Sequence, residues 1–192
     1  ADLIANRRRN ELLVEQKLAG FIDSRNCGRF QTYVYVNKLA YAEHVALVRG
    51  DISGDEPVLV RMHALSVLDD VLGDRNGGRS DELHASMELI AQEGRGVVVL
   101  LREPQPNSVS SLLKGRLEGA AAGRPTLRDY GVGAQILVDL GVRRMVLLSN
   151  AQRNIIGLEG YGLTVVGRRP IDPSLASGGS AGKCAASSEA AP

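Results

Sequence analysis

Apolar positions change their spacing several times along this chain, and each change predicts a new element. Residues 1–20, "ADLIANRRRNELLVEQKLAG", set Leu3, Ile4, Leu12, Leu13 and Leu18 among charges, a spacing that predicts a helix. The runs "FQTYVYVN" (30–37), "HVALVRGD" (44–51) and "PVLVRMH" (57–63) are rich in β-branched and aromatic residues. Turn chemistry at Gly50–Asp51 and in "SGDEP" (53–57) separates them, so three antiparallel strands are expected. Residues 80–94 then show helical spacing at Leu83, Met87, Leu89 and Ile90, with Ser80 or Asp81 as N-cap and Gly94 as the stop. "GVVVLL" (96–101) has the continuous apolar character of a buried central strand.

From there the pattern alternates: "DYGVGAQILVDLGV" helix, "RMVLLSN" strand, "AQRNIIGLEGYG" shorter helix, "LTVVGR" strand. Such alternation predicts parallel crossover units, so the fold class is α/β with a mixed sheet. From Asp172 the chain is small, polar and rich in Gly, Ser and Ala, and disorder is expected over 172–192. Its "GGSAGK" is one residue short of a phosphate loop, has Cys184 where a hydroxyl is required, and lacks a strand–helix frame.

Composition narrows the partners. The formal net charge is +1 and there is no Trp, so neither a global field nor stacking surfaces favour nucleic acid, and no stripe of cations appears. The run Arg7–Arg9 reads as a solvated helix face. Cys27 and Cys184 lie too far apart in sequence for a paired clip, and no apolar run reaches the ~20 residues of a membrane span. A cytoplasmic protein without nucleic-acid or membrane partners is the expectation.

The stretch "RMHALSVLDDVLGDRNGGRS" (61–80) concentrates chemistry-bearing side chains between a strand and a helix. His63, Asp69, Asp70 and His84 are types that can ligate a metal, but at no recognisable ligand spacing. The plainer reading makes the Asp pair a solvated turn and His84 a residue in a helix's first turn.

In order along the chain, "CGRFQTYVYVNKLAYAEHVALVRGDISGDEPVLVRMH" (27–63), "IAQEGRGVVVLLRE" (90–103) and "LRDYGVGAQILVDLGVRRMVLLSN" (127–150) resemble the GTP cyclohydrolase II family of riboflavin synthesis. The resemblance covers most of residues 24–171 and includes Gly94, Gly96, Gly131 and the leucines around Leu137 and Leu140. The opening helix is similar to the end of 3,4-dihydroxy-2-butanone-4-phosphate synthase. Together these imply three parts: 1–20 as the close of an upstream synthase domain, 21–171 as the cyclohydrolase-like domain, and the tail. The chain, which begins without Met, reads as the C-terminal part of a two-domain protein.

The family opens the imidazole ring of GTP, releasing formate and pyrophosphate. The resemblance brings zinc, held by three cysteines, and magnesium. Zinc lowers the pKa of bound water to about 7 and so supplies the nucleophile. Anchored on His63, the three cysteine positions fall on Ser66, Gly77 and Arg79, none of which offers a thiolate. Arg61 and His63 match the family's arginine and histidine, whereas the glutamine that follows becomes Glu82. The family's phosphate-contacting "QEGRG" becomes "EPQPN" (103–107), in which two prolines remove N–H donors. The segment before "RPTLRDYG" is shortened, and the family's proton-accepting aspartate is Thr126. Arg128 matches a proposed nucleotidyl acceptor, and the threonine and lysine of "TNNPxK" become Ser149 and Asn154.

The expectation is therefore a cyclohydrolase II-like domain whose site is vestigial: Arg128 for catalysis, Arg61, His63 and Ser149 for nucleotide, and no metal or other cofactor. It would support a fused or associated synthase, form a homodimer as the resemblance implies, and retain at most binding of GTP or another purine nucleotide. The alternative is an active enzyme with zinc-independent or substitute-metal chemistry.

Overall fold

A computed structural model describes residues 13–25, 27–38, 42–74, 81–103, 107–119, 127–150 and 158–172, with residues 127–129 described in backbone only. Among them a seven-stranded sheet runs in the order β1-β2-β3-β5-β4-β6-β7. Strands β1 (Val14–Ser24), β2 (Gly28–Asn37) and β3 (Ala42–Arg49) form an antiparallel meander, and β3 pairs antiparallel with β5 (Gly96–Leu101). Strands β4 (Val58–Ala64), β5, β6 (Arg144–Leu148) and β7 (Thr164–Arg169) run parallel to one another. Helix α1 (Glu82–Glu93) joins β4 to β5, while α2 (Ser108–Leu117) and α3 (Leu127–Asp139) lie between β5 and β6. The mixed α/β sheet expected from the sequence is present.

Two details differ. Residues 14–20 are strand, not helix: Val14 to Ser24 pair across Asn37 to Gly28, and cross-strand pairing over that length overrides a weak local helical spacing. Residues 1–12 of the expected helix lie outside the described residues, as do 173–192 of the tail. Strand β4 does not pair antiparallel with β3, because β5 is inserted between them and β4 runs parallel to both its neighbours. Hairpin-like turn chemistry at 50–57 marks a chain reversal but not which strand will fill the neighbouring place.

Alternation on the central strands builds two cores. Val58, Val60 and Met62 of β4 and Val97, Val99 and Leu101 of β5 pack with Val132, Ile136 and Leu137 of α3. Leu59 and Val98 face the other way, onto Leu83, Met87 and Ile90 of α1. Burial on both faces is why "GVVVLL" is apolar without interruption. Arg61 and His63 share the face of Leu59, since strand side chains repeat every two residues. The chain runs from β4 to β5 on one side and from β5 to β6 on the other. The reversal falls at β4, and open α/β sheets bind ligands beyond the carboxyl ends of strands at such a point.

Two features here are testable. A Cβ at Gly96 would lie 2.8 Å from the Leu59 carbonyl oxygen and 2.9 Å from Ile90. Gly96→Ala should therefore lower unfolding free energy by about 1–3 kcal/mol in a urea titration. Gly20→Ala, with nothing within 4 Å, should change it by less than ~0.5 kcal/mol. Tyr35, fully buried, donates from its hydroxyl to Asp139 at 2.7 Å. Burial, and then the Asp139 hydrogen bond and charge, push its pKa upward. The fold thus favours the neutral phenol, so this stabilisation is intact below the ordinary tyrosine value of about 10 and fades as pH rises above it. Tyr35→Phe should flatten the alkaline loss of stability in pH-dependent melting.

Candidate functional site

The carboxyl end of β4 holds a chain of buried polar contacts. Arg61 is 5% exposed, and a guanidinium does not lose its proton in a protein, so its charge must be met inside. Its Nη2 donates to Glu82 Oε2 at 2.7 Å, and its Nη1 donates to the Leu148 carbonyl at 3.1 Å. Asp81 holds the positive φ of 74° from which α1 begins, and the helix then starts on Glu82 with that carboxylate turned inward. Glu82 Oε1 also accepts from Asn150 at 3.4 Å, and Asn150 is bound in both directions to the Ile171 backbone.

Arg61 Nη2 lies 3.3 Å from His63 Nδ1. Arginine offers only donors, so Nδ1 accepts and the imidazole hydrogen sits on Nε2. That nitrogen faces Asp70, 2.9 Å from both carboxylate oxygens. Asp70 Oδ2 also accepts the Ser66 N–H at 2.7 Å, and Ser66 Oγ accepts the Asp69 N–H at 3.2 Å. Ser66 is thereby the N-cap of a π-helical turn, Val67–Val71. Asp69 accepts from Arg116 Nη2 of α2 at 2.6 Å, and Arg116 Nη1 reaches Asp74.

The Asp pair is therefore not a solvated turn. Asp69 is 4% exposed and the Asp70 side chain 2%. The correction has a physical reason: a carboxylate can leave water only where cations and N–H groups meet it, and those partners come from the end of β4, just before the turn, and from α2, far away in sequence. His84, by contrast, is exposed in the first turn of α1. Ser149 donates its N–H to the Arg169 carbonyl at 3.1 Å. Arg128 lies in the first turn of α3 by its backbone, with its side chain outside the described residues. Gly77, Arg79, Thr126, Asn154, Arg7–Arg9, Cys184 and the prolines of 103–107 also fall outside the described residues.

Can this arrangement hold a metal? Both His63 nitrogens, both Asp70 oxygens and the Ser66 hydroxyl are engaged in internal hydrogen bonds, and Asp69 is bound by an arginine. Among the described residues no three His, Cys, Asp or Glu side chains are placed to hold a cation together. The described donor set does not fit zinc. A groove of about 520 Å³, lined by Tyr33, Asp51, Ile52, Ser53, Leu140 and Arg143 among others, lies at the opposite end of the sheet, away from this chain.

Sequence reasoning missed Asp70 as a structural partner, and also Arg116, Asn150 and His44. His44 is buried on β3 and accepts the Arg102 N–H at 3.2 Å. Strand alternation of Leu59, Arg61 and His63 was the available signal that both polar residues face α1; Arg116 carries no local signal. Since Glu82 supplies the counter-charge to Arg61, Glu82→Ala should cost about 3–5 kcal/mol of stability in denaturant unfolding.

With this geometry in hand, similarity to known proteins becomes informative. The GTP cyclohydrolase II family model matches residues 16–170. The riboflavin biosynthesis protein RibBA of Bacillus cytotoxicus is 40% identical over 183 residues, covering 88% of this chain and 46% of that protein. The monofunctional riboflavin biosynthesis protein RIBA 2 of Arabidopsis thaliana is 38% identical, covering 89% of this chain and 37% of that protein. The crystal structure of RibBX from A. baumannii, described as a two-domain 3,4-dihydroxy-2-butanone 4-phosphate synthase, matches with a TM-score of 0.56 and 27% identity. That match covers 89% of this chain and 44% of the other. The chain spans less than half the length of these relatives. It belongs to the GTP cyclohydrolase II family.

Proposed function

We propose that this chain is a cyclohydrolase II-like domain of riboflavin synthesis that does not turn over GTP and instead supports a fused 3,4-dihydroxy-2-butanone-4-phosphate synthase. The observation that carries the reading is the state of the residues at the carboxyl end of β4. Ser66, at the first family cysteine position, caps a turn, and His63 is held between Arg61 and Asp70. Hydrolytic opening of a purine ring needs a strong nucleophile near neutral pH, and the family draws it from a zinc-bound water. Neither Gly77 nor Arg79 can supply the missing thiolates, and Thr126 is not a base at neutral pH.

Arg61 and His63 keep the family's residue types but are 5% and 1% exposed and contact one another, which supports a structural role for them over nucleotide binding. The A. baumannii relative lends support: it is described as a two-domain synthase, while its structure matches this chain over 44% of its length. In this reading the domain is a cytoplasmic homodimer that steadies its synthase partner. No helix among the described residues is long and apolar enough to cross a membrane.

A second reading, an active cyclohydrolase with altered chemistry, is favoured by the 40% identity to the Bacillus RibBA protein. Incubation with GTP and added zinc separates the two. The expected result is no formate release above a no-protein control, and turnover would overturn the proposal. A thermal-shift screen of purine nucleotides at a hundredfold over Kd would show ~2.7 kcal/mol of stabilisation for any that bind. A shift without turnover would assign the domain a sensing role.

A further inference from the structure

Helix α2 is weak by its own composition. It has ten residues, "SVSSLLKGRL", fewer than the ~12–15 an isolated helix needs, and none of them is buried. Its half-buried positions, Ser108, Leu112, Gly115 and Arg116, follow the spacing of one helical face, so α2 meets the body along a narrow strip. On that strip Arg116 makes the strong contacts. Its side chain is 10% exposed, with Nη2 2.6 Å from Asp69 Oδ1 and Nη1 bonded to Asp74.

These two carboxylates belong to the turn that follows β4. Asp69 lies within the π-helical turn, and the Asp74 N–H donates to the Leu68 carbonyl at 2.9 Å, closing the segment on itself. Asp69 also neighbours Asp70, which the Ser66 N–H and His63 hold. Two adjacent buried carboxylates repel unless each is met separately. Asp70 is met from β4, and Asp69 is met from α2.

We propose that Arg116 is a built-in cation that organises the carboxyl end of the sheet, drawing the 66–74 turn together and latching α2 across it without a metal ion. The inference goes beyond the proposed function, since it concerns how the site region is held whether or not GTP is turned over. Guanidinium suits the task because it is permanently charged and presents planar donors to two carboxylates at once. An ammonium on a flexible stem does not offer that fork. Each of the two arginines then serves its own carboxylates: Arg61 meets Glu82, and Arg116 meets Asp69 and Asp74.

Hydrogen exchange of the intact chain, read by mass spectrometry with and without EDTA or added zinc, tests the latch. In the unsubstituted protein, protection of 66–74 and 108–118 should be indifferent to both additions. Arg116→Met keeps the bulk and removes the charge. It should speed exchange in both segments together by at least about tenfold, the loss expected for a charge-assisted hydrogen bond, while β5 stays protected. Arg116→Lys should restore only part of it. Should Arg116→Met fail to fold, Asp74→Asn removes one arm and should loosen the same two segments to a smaller extent. Unchanged exchange in either segment on loss of the charge, or loosening of the unsubstituted protein by EDTA, would overturn the proposal. A cyclohydrolase-active protein with the latch intact would overturn only the proposed function.

Discussion

Arg61 stands on a central strand in the parallel half of a mixed sheet, between Leu59 and His63, where hydrocarbon is the usual occupant. A charge that cannot be neutralised, placed there, dictates its surroundings. The first residue of α1 must be a carboxylate turned inward, the end of β6 must present a carbonyl, and the neighbouring histidine must turn an accepting nitrogen toward it. The order then passes outward from His63 to Asp70 and from Asp70 to Ser66. Remote elements α1, β6 and the 66–74 turn are brought to one register by this sequence of contacts.

Under the proposed function, the same contacts explain how a cyclohydrolase II fold persists with a changed site. In such a sheet the crevice at the topological reversal is a place where polar groups collect at the strand ends. If those groups do not meet a ligand, their desolvation has to be offset by one another. Here the carboxylates are matched to arginines and N–H groups, and the serine hydroxyl is used as a helix cap. Under the proposed function, the region has passed from performing chemistry to holding structure, and the synthase partner gains a rigid neighbour. Buried pairs of this kind are poor sources of net stability compared with apolar packing, but removal of one member is costly, which makes the set interdependent.

Much of the fold was legible in the residues themselves. The apolar run at 96–101, the helical spacing before Gly94, and the helix and two strands expected after residue 129 each report local burial and are present. Of the shorter helix expected over 151–162, residues 151–157 lie outside the described residues and Glu159–Tyr161 form a single 3-10 turn. Strand β1 was not legible, because its conformation rests on ten residues of pairing with β2 and not on its own pattern. The parallel setting of β4 was hidden for a related reason: sheet order depends on crossovers, which local turns do not encode. In the site, the resemblance directed attention to Arg61, His63 and Ser66, and the structure brings these three into one polar chain. Gly77, Arg79 and Asn154, and the side chain of Arg128, lie outside the described residues. Burial of Asp69 and Asp70 was misread because a paired Asp at a turn looks solvated until its partner, 47 residues away at Arg116, is in view.

Under the proposed function, internal ion pairs and not a bound metal close the end of β4. The zinc content of the purified full chain, measured by mass spectrometry after equilibration with zinc and desalting, tests this most directly. The prediction is far less than one ion per chain. A stoichiometric, tightly held zinc with His63 or any residue of 66–79 among its ligands would contradict it.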